Sequence, residues 1–327
     1  MELASTKKLH LMSGRTNREL ALEVAECLGE ELGEANLAKF ASGELHCKLG
    51  TSIRGADVFI IQGHADIEDF TINDAIIEQL IMVDAARRGS AKRITVVCPC
   101  FGYARQDRKS EGREPITAKL MANMFKTAGA DRLVSIDLHS GQIQGFFDGP
   151  VDHLVAKPVL IDWLEANVGT DLVIVSPDAG GVKVADYYAQ DLHADLAIVH
   201  KRRVRGEKNS VVAKDVVGDV DGRICVLIDD MIDTAGTICA AAELLIEHGA
   251  SEVYAATTHA VLSGPAVDRL KNSVIKKVIC TNTLPLGPDK QFDKLEVLSI
   301  APLLANAIDA VFEDKSVSEL FGGDNQR

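Results

Sequence analysis

The sequence predicts an α/β protein built on doubly wound, mostly parallel sheets with helices on their faces. Three observations lead there. Apolar runs of strand length, Asp57–Gln62, Arg93–Phe101 and Val226–Ile228 among them, alternate along the chain with stretches of helical periodicity. Several of these runs end in turns of Asp, Gly, Ser and Thr, the composition of ligand loops at the carboxyl edge of a parallel sheet. The chain also echoes itself. Strand, charged loop and helix at 93–127 parallel 223–247, and strand, acidic turn and helix at 132–142 parallel 171–192. Two similar α/β domains are therefore expected, 1–152 and 153–327, with a boundary near Val151 to Pro158. The final helix can pack on either. One large sheet is the less attractive alternative.

Taken in order, Lys8–Met12 reads as a strand, and Thr16 with Glu19 forms a capping box before a helix carrying Leu20, Val24 and Leu28. Lys39–Leu45 is a turn between strand-like pieces. Asp57–Gln62 is a buried strand, and Ala75–Arg88 an amphipathic helix. Arg93–Phe101 is the next strand, followed by the polar loop 102–114. Pro115 stands at a helix start before Ile116–Thr127. Arg132–Leu138 is a strand that runs into Asp137-Leu138-His139-Ser140-Gly141-Gln142. Pro158 opens a helix with the only tryptophan, Trp163. Asp171–Val175 is a strand ending in Ser176-Pro177-Asp178-Ala179-Gly180-Gly181, and Val182–Leu192 is a helix. Asp195–His200 is a strand. After Val226–Ile228, helical pattern covers Ile238–Glu247, then come a strand at Glu252–Thr257 and a helix near Pro265–Lys271. Val274–Cys280 and Leu295–Ser299 are strands, and a last helix begins at Pro302.

At 327 residues, 46% hydrophobic, the chain is long enough for two domains of ~150 residues. A net charge of -13 argues against nucleic acid or an anionic membrane surface as a general partner. The seven cysteines are scattered, without a disulfide framework or metal-knuckle spacing, and read as reduced core thiols. The N-terminus has no signal-peptide core, and no run approaches the ~18 apolar residues of a membrane span. A cytoplasmic protein is expected.

The most informative stretch is Val226-Leu227-Ile228-Asp229-Asp230-Met231-Ile232-Asp233-Thr234-Ala235-Gly236-Thr237. A buried strand leads to two carboxylates, then to a loop before a helix, whose free N–H groups suit an anion. Thr234 to Thr237 has the makings of a phosphate cradle. Asp229 and Asp230 cannot hold a phosphate, but suit sugar hydroxyls or a hydrated Mg²⁺. The bland alternative is a turn whose Asp and Thr only cap the helix. In the loop Phe101–Lys109, Arg105 can pair bidentately with phosphate and Gln106 can hydrogen-bond a base or ribose, although a solvated charged loop has the same composition. His139 and Asp178 stand at strand ends, as metal ligands or as turn residues. Lys201–Lys208 holds five cations and one acid. It reads as a surface loop or as a clamp that neutralises developing charge on a polyphosphate.

The stretch 226–237 resembles the phosphoribosyl-pyrophosphate (PRPP) loop shared by type I phosphoribosyltransferases and PRPP synthetases. With Phe101–Lys109, Asp137–Phe147, Ser176–Gly181 and His200–Arg203 in the same order, nearly the whole chain is similar to the ribose-phosphate pyrophosphokinase family. The resemblance implies two phosphoribosyltransferase-like domains, the N-terminal one with ATP and oligomer contacts and the C-terminal one with the PRPP loop. It implies Mg²⁺-dependent attack of the anomeric hydroxyl of ribose 5-phosphate on the β-phosphorus of ATP, giving PRPP and AMP. Phe40, Ser42, Gly43 and Glu44 match residues that reach the ATP site from a neighbouring subunit, and Arg105 and Gln106 also match ATP ligands. His139 and Asp178 match positions that place Mg²⁺. Lys201 and Arg203 match the catalytic loop. Arg203, Asp229 and Asp230 match the ribose side, and Asp233, Thr234, Ala235, Gly236 and Thr237 the 5-phosphate cradle. A homo-oligomer, a hexamer by resemblance, is implied.

Departures are visible. Ser42 replaces an acidic or amide residue, Ala235 replaces a common Gly, and the effector segment 110–114 is short, with Gly112 in place of a Ser, so weaker regulation is expected. The rivals are a PRPP-using phosphoribosyltransferase, against which Arg105-Gln106-Asp107 argues, and a non-catalytic regulatory homologue. Against the second stand the intact Lys201, Arg203, Asp229 and Asp230.

Overall fold

The computed structural model describes residues 7–169, 171–202 and 213–321. The chain divides into two compact units. The first comprises 1–155 with 283–285 and 299–327, and the second 156–282 with 286–298.

In the first unit, five parallel strands lie side by side: β1 (Leu9–Ser13), β4 (Asp57–Ile61), β5 (Arg93–Cys98), β6 (Arg132–Ile136) and β7 (Val151–Leu154). Continuous apolar strands such as Asp57-Val58-Phe59-Ile60-Ile61 are buried along their whole length, as a sheet covered on both faces requires. The core joins Val58, Ile60, Met82, Val96, Phe125 and Leu133, with α2 (Ile72–Arg88) and α3 (Thr117–Ala128) supplying helical faces. A separate antiparallel hairpin, β2 (Ala35–Lys39) and β3 (Leu45–Leu49), packs on α2.

The last helix, α8 (Ala301–Phe312), belongs to this unit and packs on α1 (Arg18–Leu28). Just past it, Asp314 pairs with Lys7 at 2.7 Å and with Arg93 at 2.5 Å, and Arg93 also pairs with the buried Asp57. These cations hold the Asp314 carboxyl down at about 2.

The second unit is a seven-stranded sheet in the order β10 (Ala213–Val217), β9 (Asp195–Arg202), β8 (Leu172–Ser176), β11 (Ile224–Ile232), β12 (Glu252–Ala260), β13 (Lys277–Thr281), β14 (Leu295–Leu298). All pairs are parallel except the β9–β10 edge. The strand order reverses between β8 and β11, which makes their carboxyl ends the topological switch point where such sheets bind ligands. Helices α4 (Lys157–Asn167), α5 (Val182–Asp191), α6 (Gly236–Glu247) and α7 (Ala266–Asn272) complete the unit.

Several local expectations are corrected. The Thr16–Glu19 capping box does not form: Asn17 is the N-cap, and the buried Thr16 hydroxyl instead reaches Gln62 Oε1 and Gly63 O. A capping box does form at Thr71 and Asp74, so α2 starts one turn earlier than the apolar periodicity. Val151–Leu154, expected within a boundary segment, is strand β7. Asp229 and Asp230 do not end their strand, which continues to Ile232.

Candidate active site

In the second unit, the site begins where β8 stops. Ser176 Oγ donates to Asp178 O at 2.6 Å, and Asp178 Oδ1 accepts the N–H groups of Gly180 (2.7 Å) and Gly181 (3.2 Å). Asp178 thus organises the turn that starts α5. Leu227 of β11 pairs with Val175, so Asp229 and Asp230 follow two and three residues on, beside that turn. Burial, the Asp230 charge and, more weakly, Asp178 push the Asp229 carboxyl up to about 8, although the Asp230 N–H bonded to its Oδ1 at 2.9 Å opposes this. Neighbouring carboxylates and burial together disfavour charge on Asp229.

From Ile232 the chain enters Asp233-Thr234-Ala235-Gly236-Thr237. Ala235 is the helix N-cap in the left-handed region (φ 59, ψ 4), the conformation that its replacement of Gly put in question. A Cβ there costs ~1–2 kcal/mol relative to the right-handed alternative, and the loop shape is kept regardless. The N-cap residue, Ala235, makes no side-chain cap bond to α6. The first intrahelical bond here is Cys239 N–H to Ala235 O. The N–H groups of Gly236, Thr237 and Ile238 thus lack helical partners, and Thr234 and Thr237 are exposed beside them. The loop is open on its N–H side, which suits a phosphate.

Lys201 lies in β9, three residues past Ile198, which pairs with Ser176; its backbone therefore stands at the same carboxyl edge. Arg203 and the rest of the basic stretch to Asn209 lie outside the described residues.

In the first unit, the loops follow β5 and β6, whose ends pair at Cys98 and Ser135. Arg105 and Gln106 are exposed; Gln106 N–H donates to Tyr103 O (2.9 Å) and its Oε1 accepts from Thr117 Oγ1 (2.5 Å), which fixes it to the start of α3. His139 is exposed on the turn after β6. Between them lies Asp107, 8% exposed, whose Oδ2 accepts from Ser140 Oγ (2.5 Å) and Gln142 Nε2 (2.7 Å). This buried carboxylate ties the Arg105-Gln106 loop to the His139 turn.

A second anchor is His64, 3% exposed. Gly102 N–H donates to its Nδ1 at 2.8 Å, so the ring proton is on Nε2, 2.9 Å from Gln79 Oε1. The ring stacks on Phe125 with centroids 5.8 Å apart. Burial lowers its pKa to about 4, and the neutral imidazole holds the first residues of the loop.

Phe40, 54% exposed, sits at the tip of the β2–β3 hairpin with Ser42, Gly43 and Glu44. Gly43 has φ 92, and Ser42 Oγ donates to Glu44 at 2.8 Å.

Residues 9–129 match the model described as the N-terminal domain of ribose phosphate pyrophosphokinase, and 207–322 match the phosphoribosyl synthetase-associated domain. The chain is 55% identical over 316 residues to a ribose-phosphate pyrophosphokinase of Streptomyces avermitilis, with 96% of each protein covered. The chain belongs to the ribose-phosphate pyrophosphokinase family. Another relative with that name, from Bifidobacterium longum, is 54% identical over 96% of this chain and 93% of its own. A crystal structure of phosphoribosylpyrophosphate synthetase from Mycobacterium smegmatis superposes with a TM-score of 0.89 at 50% identity, covering 94% of this chain and all of that one. The expected fold class holds: two phosphoribosyltransferase-like α/β units, each a mostly parallel sheet flanked by helices.

As a ribose-phosphate pyrophosphokinase family member, the chain brings Asp178, Asp229, Asp230 and Asp233–Thr237 to one sheet edge of the second unit, and Arg105, Gln106 and His139 to one edge of the first. Asp107 and His64, which brace the loops of the first unit, were not singled out from sequence as site residues. Each acts on a partner far away in the chain, and no local pattern marks such pairs.

Proposed function

We propose that this chain transfers the β,γ-pyrophosphoryl group of ATP to the anomeric hydroxyl of ribose 5-phosphate, forming PRPP and AMP. The observation that carries this reading is the uncapped N-terminus of α6 directly after the Asp229–Asp230 pair. It offers N–H donors for a phosphate and carboxylates for sugar hydroxyls on one short stretch.

In this reading Asp233, Thr234, Ala235, Gly236 and Thr237 hold the 5-phosphate. Asp229 and Asp230 accept from the ribose hydroxyls, and Arg203 assists on that side. Arg105 and Gln106 hold ATP, together with Phe40, Ser42, Gly43 and Glu44 of a neighbouring subunit in a homo-oligomer, taken as a hexamer. The exposed Phe40 at a hairpin tip suits such a reach. Lys201 and Arg203 stabilise the charge that grows on the oxygen departing with AMP. Phosphoryl-type transfer is mostly positioning and charge stabilisation, so no covalent nucleophile is required.

The residues fit Mg²⁺. Among the described residues no group of three or more His, Cys, Asp and Glu is gathered as a metal site. Mg²⁺ needs none: it keeps several waters and binds one or two carboxylates plus substrate phosphates. The raised proton affinity of Asp229 marks negative charge that a cation would relieve. His139 of the first unit and Asp178 of the second would each offer it a ligand, and when bound it would neutralise polyphosphate charge.

The acidic chain suits small-molecule substrates rather than nucleic acid. No described helix is long and apolar enough to cross a membrane, which supports a cytoplasmic setting. The test is incubation with ATP and ribose 5-phosphate. Equal amounts of AMP and PRPP are expected; ADP with a ribose bisphosphate would overturn the reading.

A further inference from the structure

The carbonyl side of the cradle is as fully bonded as its N–H side is open. Ile232 O accepts from Leu262 N–H (3.0 Å), and Asp233 O accepts from Ser263 N–H (2.9 Å). These two bonds lie beyond the last β11–β12 pair, Ile232–Ala260, and tie the loop after β12 to the start of the cradle. Beyond Ser263 the chain turns away: Leu262 (φ 50) and Gly264 (φ 54) are in left-handed conformations, and Pro265 has no N–H to offer. The third carbonyl in the row, Thr234 O, accepts from a side chain instead: Arg269 Nη1 of α7, at 2.8 Å.

Arg269 is exposed, so the bond does not result from burial. The guanidinium lies against Gly236, the first residue of α6, where an added Cβ would stand 3.3 Å from Nη1. A cation at a helix N-terminus meets partial charge of its own sign. The helix does not attract it there; the Thr234 carbonyl does. An anion in the cradle would relieve the mismatch.

A peptide unit is planar and trans, so its C=O and N–H point in opposite directions. Pinning Thr234 C=O to Arg269 therefore sets the direction of the Ala235 N–H. Ala235, in its left-handed conformation, then passes that orientation on to Gly236 and the first turn of α6. We infer that Arg269 is a positioning residue for a sugar-phosphate anion: it fixes the Thr234 carbonyl and so holds the cradle's N–H groups toward the ligand. This deepens the reading of Asp233–Thr237 as the 5-phosphate site and rests on it.

The test compares Arg269→Met, which keeps length without a donor, with Arg269→Lys, which restores one. In Arg269→Met, KM for ribose 5-phosphate rises about tenfold, the scale of one lost charge-assisted hydrogen bond. KM for ATP and kcat stay within about twofold. Arg269→Lys recovers most of the loss. A readout without ATP isolates the cradle: ribose 5-phosphate raises the melting temperature of the wild type and of Arg269→Lys, and much less that of Arg269→Met. An Arg269→Met variant indistinguishable from wild type, one with KM raised equally for both substrates, or one not improved by Lys overturns the inference. A wild type that binds ribose 5-phosphate yet forms no PRPP overturns the reaction assignment and leaves Arg269 testable by the melting shift.

Discussion

Asp107 Oδ2 accepts a 2.5 Å hydrogen bond from Ser140 Oγ, joining two loops whose sequence separation is 33 residues. With Gln142 Nε2 on the same oxygen at 2.7 Å, the buried carboxylate fixes the Arg105-Gln106 loop to the turn that carries His139. Charge-assisted bonds of this kind are roughly twice as strong as neutral ones.

If Arg105 and Gln106 hold ATP as proposed, removing that carboxylate should loosen ATP binding first. Asp107→Ala leaves two donors without an acceptor and is expected to raise KM for ATP by roughly tenfold, on the scale of 1–2 kcal/mol. KM for ribose 5-phosphate should change less than about threefold, since the cradle belongs to the other unit. Steady-state kinetics with each substrate varied in turn decide it. Equal losses for both substrates would mean that Asp107 supports the fold at large.

His64 supplies a pH dependence whose sign is fixed. Its folded pKa, about 4, is depressed below the ordinary 6.5 by burial. Between those values the unfolded chain binds the proton and the folded one does not, so stability falls as pH drops through that window. The loss is complete near pH 4 and absent above 6.5. A shift of this size corresponds to on the order of 3 kcal/mol. Chemical denaturation across the window should show the slope, and His64→Gln, which cannot titrate, should flatten it. An unchanged slope in that variant would assign the acid limb to other groups.

Much of the fold was legible because buried parallel strands are apolar through most of their length, as Val58–Ile61 of β4 and Leu172–Val175 of β8 are. β7 was missed because Asp152 and His153 make it polar; in the fold Asp152 pairs with Arg132 and His153 Nε2 accepts the Leu138 N–H at 3.0 Å. The same reason hid the end of β11, where two carboxylates look like a strand terminus but pairing with β12 continues to Ile232. At Thr16 a correct local motif lost to a tertiary one, because the hydroxyl is worth more against Gln62 and Gly63 than on its own helix. In the site, the cradle was legible because its residues are consecutive. Asp107, His64 and Arg269 were not, because each is defined by a partner across the sheet edge or in the next loop.

Asp229 predicts a conflict between stability and activity. Its carboxyl is disfavoured in the folded protein by burial, by Asp230 and by Asp178. Asp229→Asn keeps the shape and removes the charge, so it should stabilise the metal-free protein by about 1 kcal/mol, raising the melting temperature by a few degrees. In the proposed reading it also removes an acceptor for ribose hydroxyls, and PRPP formation should fall roughly 10–10²-fold. Thermal melts with a chelator present, paired with AMP release, measure both. A destabilised variant that kept its activity would reverse the assignment of this residue.

The final prediction concerns Lys201. Its backbone continues β9 past the Ile198–Ser176 pair, and the strand's carboxyl edge adjoins the β8 turn of Asp178. A cation attached there can meet charge as it grows on the oxygen leaving with AMP. Ground-state ATP has other ligands in this reading, Arg105 and Mg²⁺ among them. A group that matters only when charge develops lowers the barrier more than it tightens binding. Lys201→Ala is therefore expected to cut kcat by roughly 10²–10⁴, the scale of losing a transition-state donor, while KM for both substrates moves by less than about threefold. Arg203→Ala, two residues on, should behave in the same way. Steady-state kinetics on each variant, with a thermal melt to show that the fold is kept, provide the measurement. Near-normal kcat with a greatly raised KM would make this edge a binding clamp, and the catalytic role would pass to other residues.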